Sequence, residues 1–321
     1  MTKDQPLLGI ALMLGFCVLA PLGDALAKLL GELVPLGLAV FLRFAVQAVM
    51  LIPVVWFGGR AWRMRGRVLG IVVLRTVLHI FGIGLMFTAL QFLPLADAVA
   101  IIFVMPFLML ALGFFFLGEE VGPRRLWAAG AGFAGTLLVV QPSFAAVGWP
   151  ALLPLGVAVN FACFMLLTRQ IAKETDPVGM QMVSGWIAVA LLTPLVIWGP
   201  GSGIAALAVP ALPTSSWGLL IAIGVVGSVS HLLMVWSLRY APAATLAPMQ
   251  YLEIPVAVVI GWAIWRDLPN GLAMVGIAIT MAAGLYIILR ERAAARLAAF
   301  TSAQARPTGR QLPSAASVAA E

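Results

Sequence analysis

Charge is scarce in this chain: Asp, Glu, Lys and Arg make up 10% of its 321 residues, against 63% hydrophobic residues. Soluble domains carry about a quarter charged residues, so a water-solvated fold is excluded. The two cysteines, Cys17 and Cys163, stand alone with no partner spacing for a metal or a disulfide, and read as small buried side chains. The two histidines, His79 and His231, form no HExxH or similar pattern, which leaves an intramembrane enzyme without a metal cluster or a nucleophile with its base. No nucleotide-binding loop and no other cofactor pattern is present, so ATP drive is not expected from this chain. Gly130 to Gly135 matches GxGxxG, yet that fingerprint needs a strand before it and a helix after it in a soluble unit. Here it lies in an apolar run, where Ala128 with Gly132 and Ala131 with Gly135 have the small-xxx-small spacing that lets helices approach closely in lipid.

What is abundant is long apolar sequence, with a mean hydropathy of +1.08. Runs of about 20 apolar residues cross a ~30 Å hydrocarbon core, and ten such runs occur: 7–29, 35–57, 68–92, 94–117, 123–141, 149–171, 177–199, 215–239, 242–265 and 268–290. They lack the period-2 alternation of a membrane barrel. Ala25-Leu26-Ala27 resembles a signal-peptidase site, but the apolar stretch before it is long and weakly charged, so a retained first helix is expected. With the N-terminus inside, 15 of the 19 basic residues fall in inner segments, Lys28 and Arg266 are the outer ones, and Arg43 and Arg75 lie within spans. This asymmetry follows the positive-inside rule and supports ten spans with both termini cytoplasmic. The net charge of +7 is thus mostly topology, and no basic face with interleaved aromatics points to nucleic acid.

The spans repeat. Met86 to Ala96 aligns without a gap on Met234 to Ala244, sharing Met86/Met234, Leu90/Leu238, Pro94/Pro242 and Ala96/Ala244 at an offset of 148. Each copy occupies the same place in a run of five spans, and an odd number inverts the second run, the usual build of a secondary transporter. The expected division is 1–142 and 143–290 for the two halves, with 291–321 a largely disordered cytoplasmic tail, helical at most to Phe300.

Polar groups inside spans then indicate function, because an ionisable side chain at the bilayer centre costs ~2.5 to 3.5 kcal/mol on insertion scales. Counting 1.5 Å per residue, His79, Asn160 and Glu253 each lie roughly 16 Å into their spans, near the midplane. Close to that level come Arg43, Gln47, Arg75, Ser184, Trp186, Gln250 and Tyr251. The pairs Arg43/Gln47 and Arg75/His79 are i, i+4, and Gln250/Glu253 is i, i+3, so each pair shares a helix face. The expected pathway set is Arg43, Gln47, Arg75, His79, Asn160, Trp186, Gln250, Tyr251 and Glu253, with Met105 as an apolar candidate and His231, toward the cytoplasmic end of its span, structural or interfacial. His79 suits proton coupling, with an ordinary pKa near 6.5, and equally a hydrogen-bonded structural role. Asp24, Lys28 and Asp97 form either an outer gate or a local ion pair. Pro21, Pro106 and Pro255 fall within spans, where proline removes a backbone bond, and Pro106 and Pro255 are 149 apart, matched hinges or fixed kinks.

These residues resemble the drug/metabolite transporter superfamily, EamA type, over about residues 7–290. The motifs are Asp24-Ala-Leu-Ala-Lys28, Leu42-Arg43-Phe44, Thr88-Ala-Leu with Pro94, Pro106, Leu117-Gly118-Glu119, Gly135-Thr136 through Gln141-Pro142, Glu253-Ile-Pro255 and Trp265-Arg266-Asp267-Leu268-Pro269. Two departures stand out: Asp267 where Glu is usual, and Arg266 where glycine is usual. The resemblance implies an all-α protein of the bacterial cytoplasmic membrane that carries small organic solutes, as a monomer or weak homodimer and without a cofactor. Arg43 and Arg75 against Glu253 suit a carboxylate and an amine, so export of amino acids or related zwitterions by alternating access is expected. The Asp24, Lys28 and Arg43 pattern also resembles members that take up S-adenosylmethionine. A non-transporting scaffold or a channel is the remaining class that the spans alone allow.

Overall fold

The computed structural model describes residues 6–105, 107–108, 123–171, 174–240 and 249–304. Within them the chain forms ten helices: α1 (Pro6–Gly31), α2 (Leu36–Phe57), α3 (Gly66–Phe92), α4 (Leu95–Ile102), α5 (Pro123–Val147), α6 (Leu153–Ile171), α7 (Pro177–Trp198), α8 (Thr214–Tyr240), α9 (Glu253–Trp265) and α10 (Gly271–Gln304). Seven stretches are long and apolar enough to cross a membrane. Each helix falls on one of the ten apolar runs, and no strand occurs among the described residues.

Helix ends follow local chemistry. Asp176 caps α7, accepting from the backbone N–H groups of Val178 and Gly179 at 3.0 Å, which satisfies two donors that a helix start leaves open. Pro177 at the first position gives up a donor that no helix could use. The fifth helix runs past the expected end at 141, through Pro142, and stops at Gly148, whose φ of 73° is open to glycine and strained for other residues. The tenth continues past Phe300 to Gln304, because the Ala-, Arg- and Leu-rich run after Glu291 has high helix propensity. Arg266, where the resemblance expects glycine, ends α9 in the left-handed conformation at φ 60°. Its guanidinium lies 4.9 Å from the Trp262 ring, an attraction that offsets part of the roughly 1–2 kcal/mol cost of that backbone.

Helix contacts repeat with the sequence. Taking α1–α5 and α6–α10 as equivalents, α1 packs on α8 as α6 packs on α3, and α2 on α8 as α7 on α3. Likewise α1 meets α9 as α6 meets α4, while α2·α7, α4·α9 and α5·α10 pair equivalent helices directly. The ion pairs among the described residues lie at the two ends of this arrangement. Arg60 meets Asp176 at 3.2 Å and Arg67 meets Glu174 at 3.9 Å on the cytoplasmic side, and Lys28 meets Asp267 at 4.0 Å on the outer side.

Spans four and nine are interrupted at equivalent places. After α4 the chain turns at Phe103–Val104, and before α9 it turns at Tyr251–Leu252, positions 148 apart. Both turns use tightened i→i−3 bonds: Phe103 and Val104 N–H donate to Ala100 and Ile101 carbonyls at 3.2 and 3.1 Å, and Leu252 and Ile254 N–H to Met249 and Tyr251 carbonyls at 3.0 and 3.3 Å. Proline accounts for the location, since it has no N–H for the carbonyl four residues back. Pro255 thereby deprives Tyr251, while Pro106, four residues after Ile102 in sequence, lies outside the described residues. Pro255 thus sits in the first turn of α9, not as a kink within it, and Pro21 lies in an unbroken α1.

The α5–α10 pair depends on bare backbone. A Cβ at Gly135 would lie 2.9 Å from the Gly276 carbonyl oxygen, and one at Gly276 would lie 2.9 Å from the Val139 side chain. Thr280 Oγ1 donates to the Gly132 carbonyl at 3.3 Å across the same contact. At Gly132 the space of a side chain is taken by the Phe107 ring. Gly135→Ala and Gly276→Ala are therefore expected to cost about 1–3 kcal/mol through overpacking, lowering the melting temperature of the detergent-solubilised protein. Gly130→Ala, which meets nothing within 4 Å, is expected to melt unchanged.

Candidate functional site

The first helices of both halves and the interrupted spans enclose a cavity of about 170 Å³. Its polar wall comes from six helices: Asp24 on α1, Arg43 on α2, His79 on α3, Asn160 on α6, His231 on α8 and Glu253 at the start of α9, with Gln250 just before it. Its apolar wall is aromatic, with Phe16, Phe87, Phe103, Phe161 and Phe164. Lipid does not tolerate an open backbone turn, but a protein-lined cavity does, and Phe103 lines this one from the break after α4.

The two histidines form the centre of the aromatic wall. Their ring centroids are 4.7 Å apart, and His79 also packs edge-on to Phe44 at 5.2 Å and tilted to Phe164 at 5.0 Å. Both ring nitrogens of His79 and Nη1 of Arg43 are buried without a hydrogen-bond partner among the described residues. A buried polar atom left unpaired costs about 1–3 kcal/mol; three such atoms gather at this cavity, and others, among them Gln47 Oε1 and Arg75 Nη2, lie away from it. Gly227 makes room for the guanidinium: a Cβ there would lie 3.0 Å from Arg43 Nε.

The expected pathway residues separate into three levels. Asp24, Arg43, His79, Asn160, Gln250 and Glu253, with Met105, meet at the cavity. One turn further inward, Gln47 and Arg75 are fully buried away from it. Gln47 Nε2 donates to the Gln181 carbonyl at 2.9 Å. Arg75 Nε donates to Thr168 Oγ1 at 2.8 Å, its Nη1 to Ser184 Oγ at 3.1 Å, and the guanidinium covers the Phe164 ring at 4.4 Å. These two residues join α2 and α3 to α6 and α7 instead of facing a solute.

Towards the outer end, Lys28 Nζ donates to the Leu93 carbonyl at 2.8 Å and lies 5.1 Å from the Trp265 ring, and Asp97 accepts from Ser143 Oγ at 3.1 Å. The Asp24/Lys28 gate is thereby divided: four residues of helix separate them by about 6 Å, which puts Asp24 in the cavity and Lys28 among the outer turns. Two further expectations are corrected. Trp186 is 47% exposed on the outer face of α7, since its neighbour Gly185 abuts Ala48 and the next residue is turned by about 100°. Tyr251 is buried against Phe103 at 5.1 Å, outside the cavity lining.

His231 was missed as a cavity residue because counting from the ends of its span placed it near the cytoplasmic side. Its signal was the polar pair Ser230-His231 within the apolar run of its helix, close to Ser228. The aromatic wall had no separate signal, because phenylalanine is common wherever helices pack.

Both halves of the chain, residues 7–141 and 148–290, match the model of the EamA-like transporter family. The chain belongs to that family. It is a multi-pass protein of the cytoplasmic membrane and a transporter of small metabolites. Among curated relatives it is 31% identical to a riboflavin transporter of Rhizobium johnstonii, over 68% of this chain and 69% of that one. It is 24% identical to an S-adenosylmethionine uptake transporter of Rickettsia felis, over 90% and 95%, and 26% identical to a pseudopaline exporter of Pseudomonas aeruginosa, over 85% and 92%. A crystal structure that is 18% identical superposes with a TM-score of 0.60 over 88% of this chain and 97% of that one, which shows the shared fold.

The cavity geometry predicts thiol reactivity in this EamA-family protein. In a background with Cys17→Ala and Cys163→Ala, Ser230→Cys on the cavity wall is expected to react with a small water-soluble methanethiosulfonate. Trp186→Cys, facing hydrocarbon, is expected to stay unlabelled, because a thiolate forms only where water reaches. Equal labelling of the two would contradict the assigned faces.

Proposed function

We propose that this transporter carries a flat heteroaromatic metabolite of the riboflavin type, bound in the central cavity and moved by alternating access between halves 1–142 and 143–290. The observation that carries the reading is the aromatic wall: phenylalanines from both halves, with the packed His79 and His231 rings, border a cavity also lined by Arg43, whose Nη1 has no partner among the described residues. Stacking a planar ring on aromatic side chains is worth about 1–3 kcal/mol per ring, a gain that an aliphatic amino acid cannot draw on. The relatives named as riboflavin transporters support it, as does the S-adenosylmethionine relative, whose solute also contains a heteroaromatic ring.

A second reading, export of amino acids or related zwitterions, draws on Arg43 facing the same cavity as Asp24 and Glu253. S-adenosylmethionine joins the two, with a purine for the aromatic wall and an amino-acid end for the charges. Proteoliposomes loaded in turn with labelled riboflavin, S-adenosylmethionine and amino acids separate them. Saturable exchange of riboflavin is expected, reduced about 10- to 100-fold by Arg43→Ala, as loss of a charge-assisted hydrogen bond of ~1.5–3 kcal/mol implies, and kept within twofold by Trp186→Ala. Exchange of amino acids with none of riboflavin would overturn the proposal. In the same vesicles, proton coupling through His79 or Glu253 predicts that an imposed pH gradient drives uptake and that His79→Gln abolishes the response.

A further inference from the structure

We infer that Asn160 and His231 determine specificity by reading an N–H on the edge of the solute ring; the inference rests on the heteroaromatic reading above. Both residues line the cavity, and each has one polar atom tied to a backbone carbonyl. Asn160 Nδ2 donates to the Leu78 carbonyl at 2.9 Å. A carbonyl only accepts, so the amide is oriented with its NH2 on α3 and its Oδ1 left over as an acceptor. The seat exists because residue 82 is glycine: a Cβ there would overlap Asn160 Nδ2.

His231, on α8 of the same half, is fixed by the same logic. Its Nδ1 lies 2.9 Å from the Gly227 carbonyl, so Nδ1 bears the proton and, in the neutral ring, Nε2 is the bare acceptor. The ring is held between Phe16, edge-on at 6.5 Å, and His79 at 4.7 Å. The two anchoring carbonyls, Leu78 on α3 and Gly227 on α8, lie one residue apart in the repeat register of 148. Each half therefore supplies one anchoring carbonyl, on which the unlike side chains of α6 and α8 present acceptors of fixed orientation.

Opposite in character is Arg43, whose Nη1 has no partner among the described residues and can only donate. Oriented acceptors beside a free donor complement a ring edge on which an N–H adjoins a carbonyl, the pattern of an imide or lactam. A site built to hydrogen-bond an N–H rejects the analogue lacking it far more strongly than an apolar pocket rejects one methyl group.

Riboflavin and N3-methylriboflavin, which replaces the imide N–H, test this on the full-length protein in detergent by quenching of flavin fluorescence. The wild type is expected to bind riboflavin at least about tenfold more tightly than the methylated probe. Asn160→Leu and His231→Phe are each expected to narrow that ratio, by weakening riboflavin while leaving the methylated probe unchanged or improved. Gly82→Ala, which fills the seat of Asn160, is expected to act as Asn160→Leu does. Equal binding of the two probes by the wild type, or an unchanged ratio in both Asn160→Leu and His231→Phe, would overturn the inference and leave the heteroaromatic reading standing. Binding of neither probe would remove both. The wild-type comparison decides even where a variant fails to fold.

Discussion

A backbone carbonyl has no partner in hydrocarbon except another part of the protein, and this constraint organises the molecule. Pro255 withholds an N–H from the Tyr251 carbonyl, and the chain turns there, as it turns at the equivalent Phe103. Neither turn could face lipid. The two meet each other at the centre, with Tyr251 and Phe103 in ring contact, and Cys17 of α1 donates its thiol to the Met249 carbonyl at 3.2 Å just before the second turn. The cavity borders this interrupted backbone, and Glu253 and Gln250 reach it because the helix stops where they begin.

Around that centre the two halves use one packing plan and different chemistry. Most contacts between the two halves have a counterpart under the repeat or pair a helix with its own equivalent. The polar residues break the plan. At the repeat offset His79 corresponds to Gly227, and the missing side chain is what admits the Arg43 guanidinium. The glycine at position 82 likewise admits Asn160. Repetition thus builds the frame, and pairing a large residue with an absent one builds the site.

Depth sorts the remaining polar groups into separate jobs. Gln47 and Arg75 seal the contacts inward of the cavity through bonds to Gln181, Thr168 and Ser184, and Lys28 and Asp97 tie the outer turns together. A buried hydrogen bond between helices is worth about 0.6 kcal/mol in membranes, seldom more than ~1.7, so these groups fix register more than they add stability. At the cavity level Arg43 Nη1 and both His79 nitrogens have no partner among the described residues, while Asn160 and His231 are each held by a backbone carbonyl.

Much of this was legible in the residues alone. Apolar runs of membrane length, basic residues gathered on one side and the Met86/Met234 repeat determined ten helices in two halves, because hydrocarbon thickness and backbone bonding allow few alternatives. Midplane counting also brought Arg43, His79, Asn160 and Glu253 to one level. Counting gives height but not direction, however: Trp186, Arg75 and Tyr251 fall within about a turn of that level and turn to the outer face, to neighbouring helices or to Phe103. Which way a side chain turns depends on how close two helices come, and that is set by residues distant in sequence, such as Gly185 against Ala48 and Gly227 against Arg43. The sequence alone therefore determined the frame and the depth of the polar groups. The tertiary packing decided which of them face the cavity, because a helix has one inward side and its neighbours choose it.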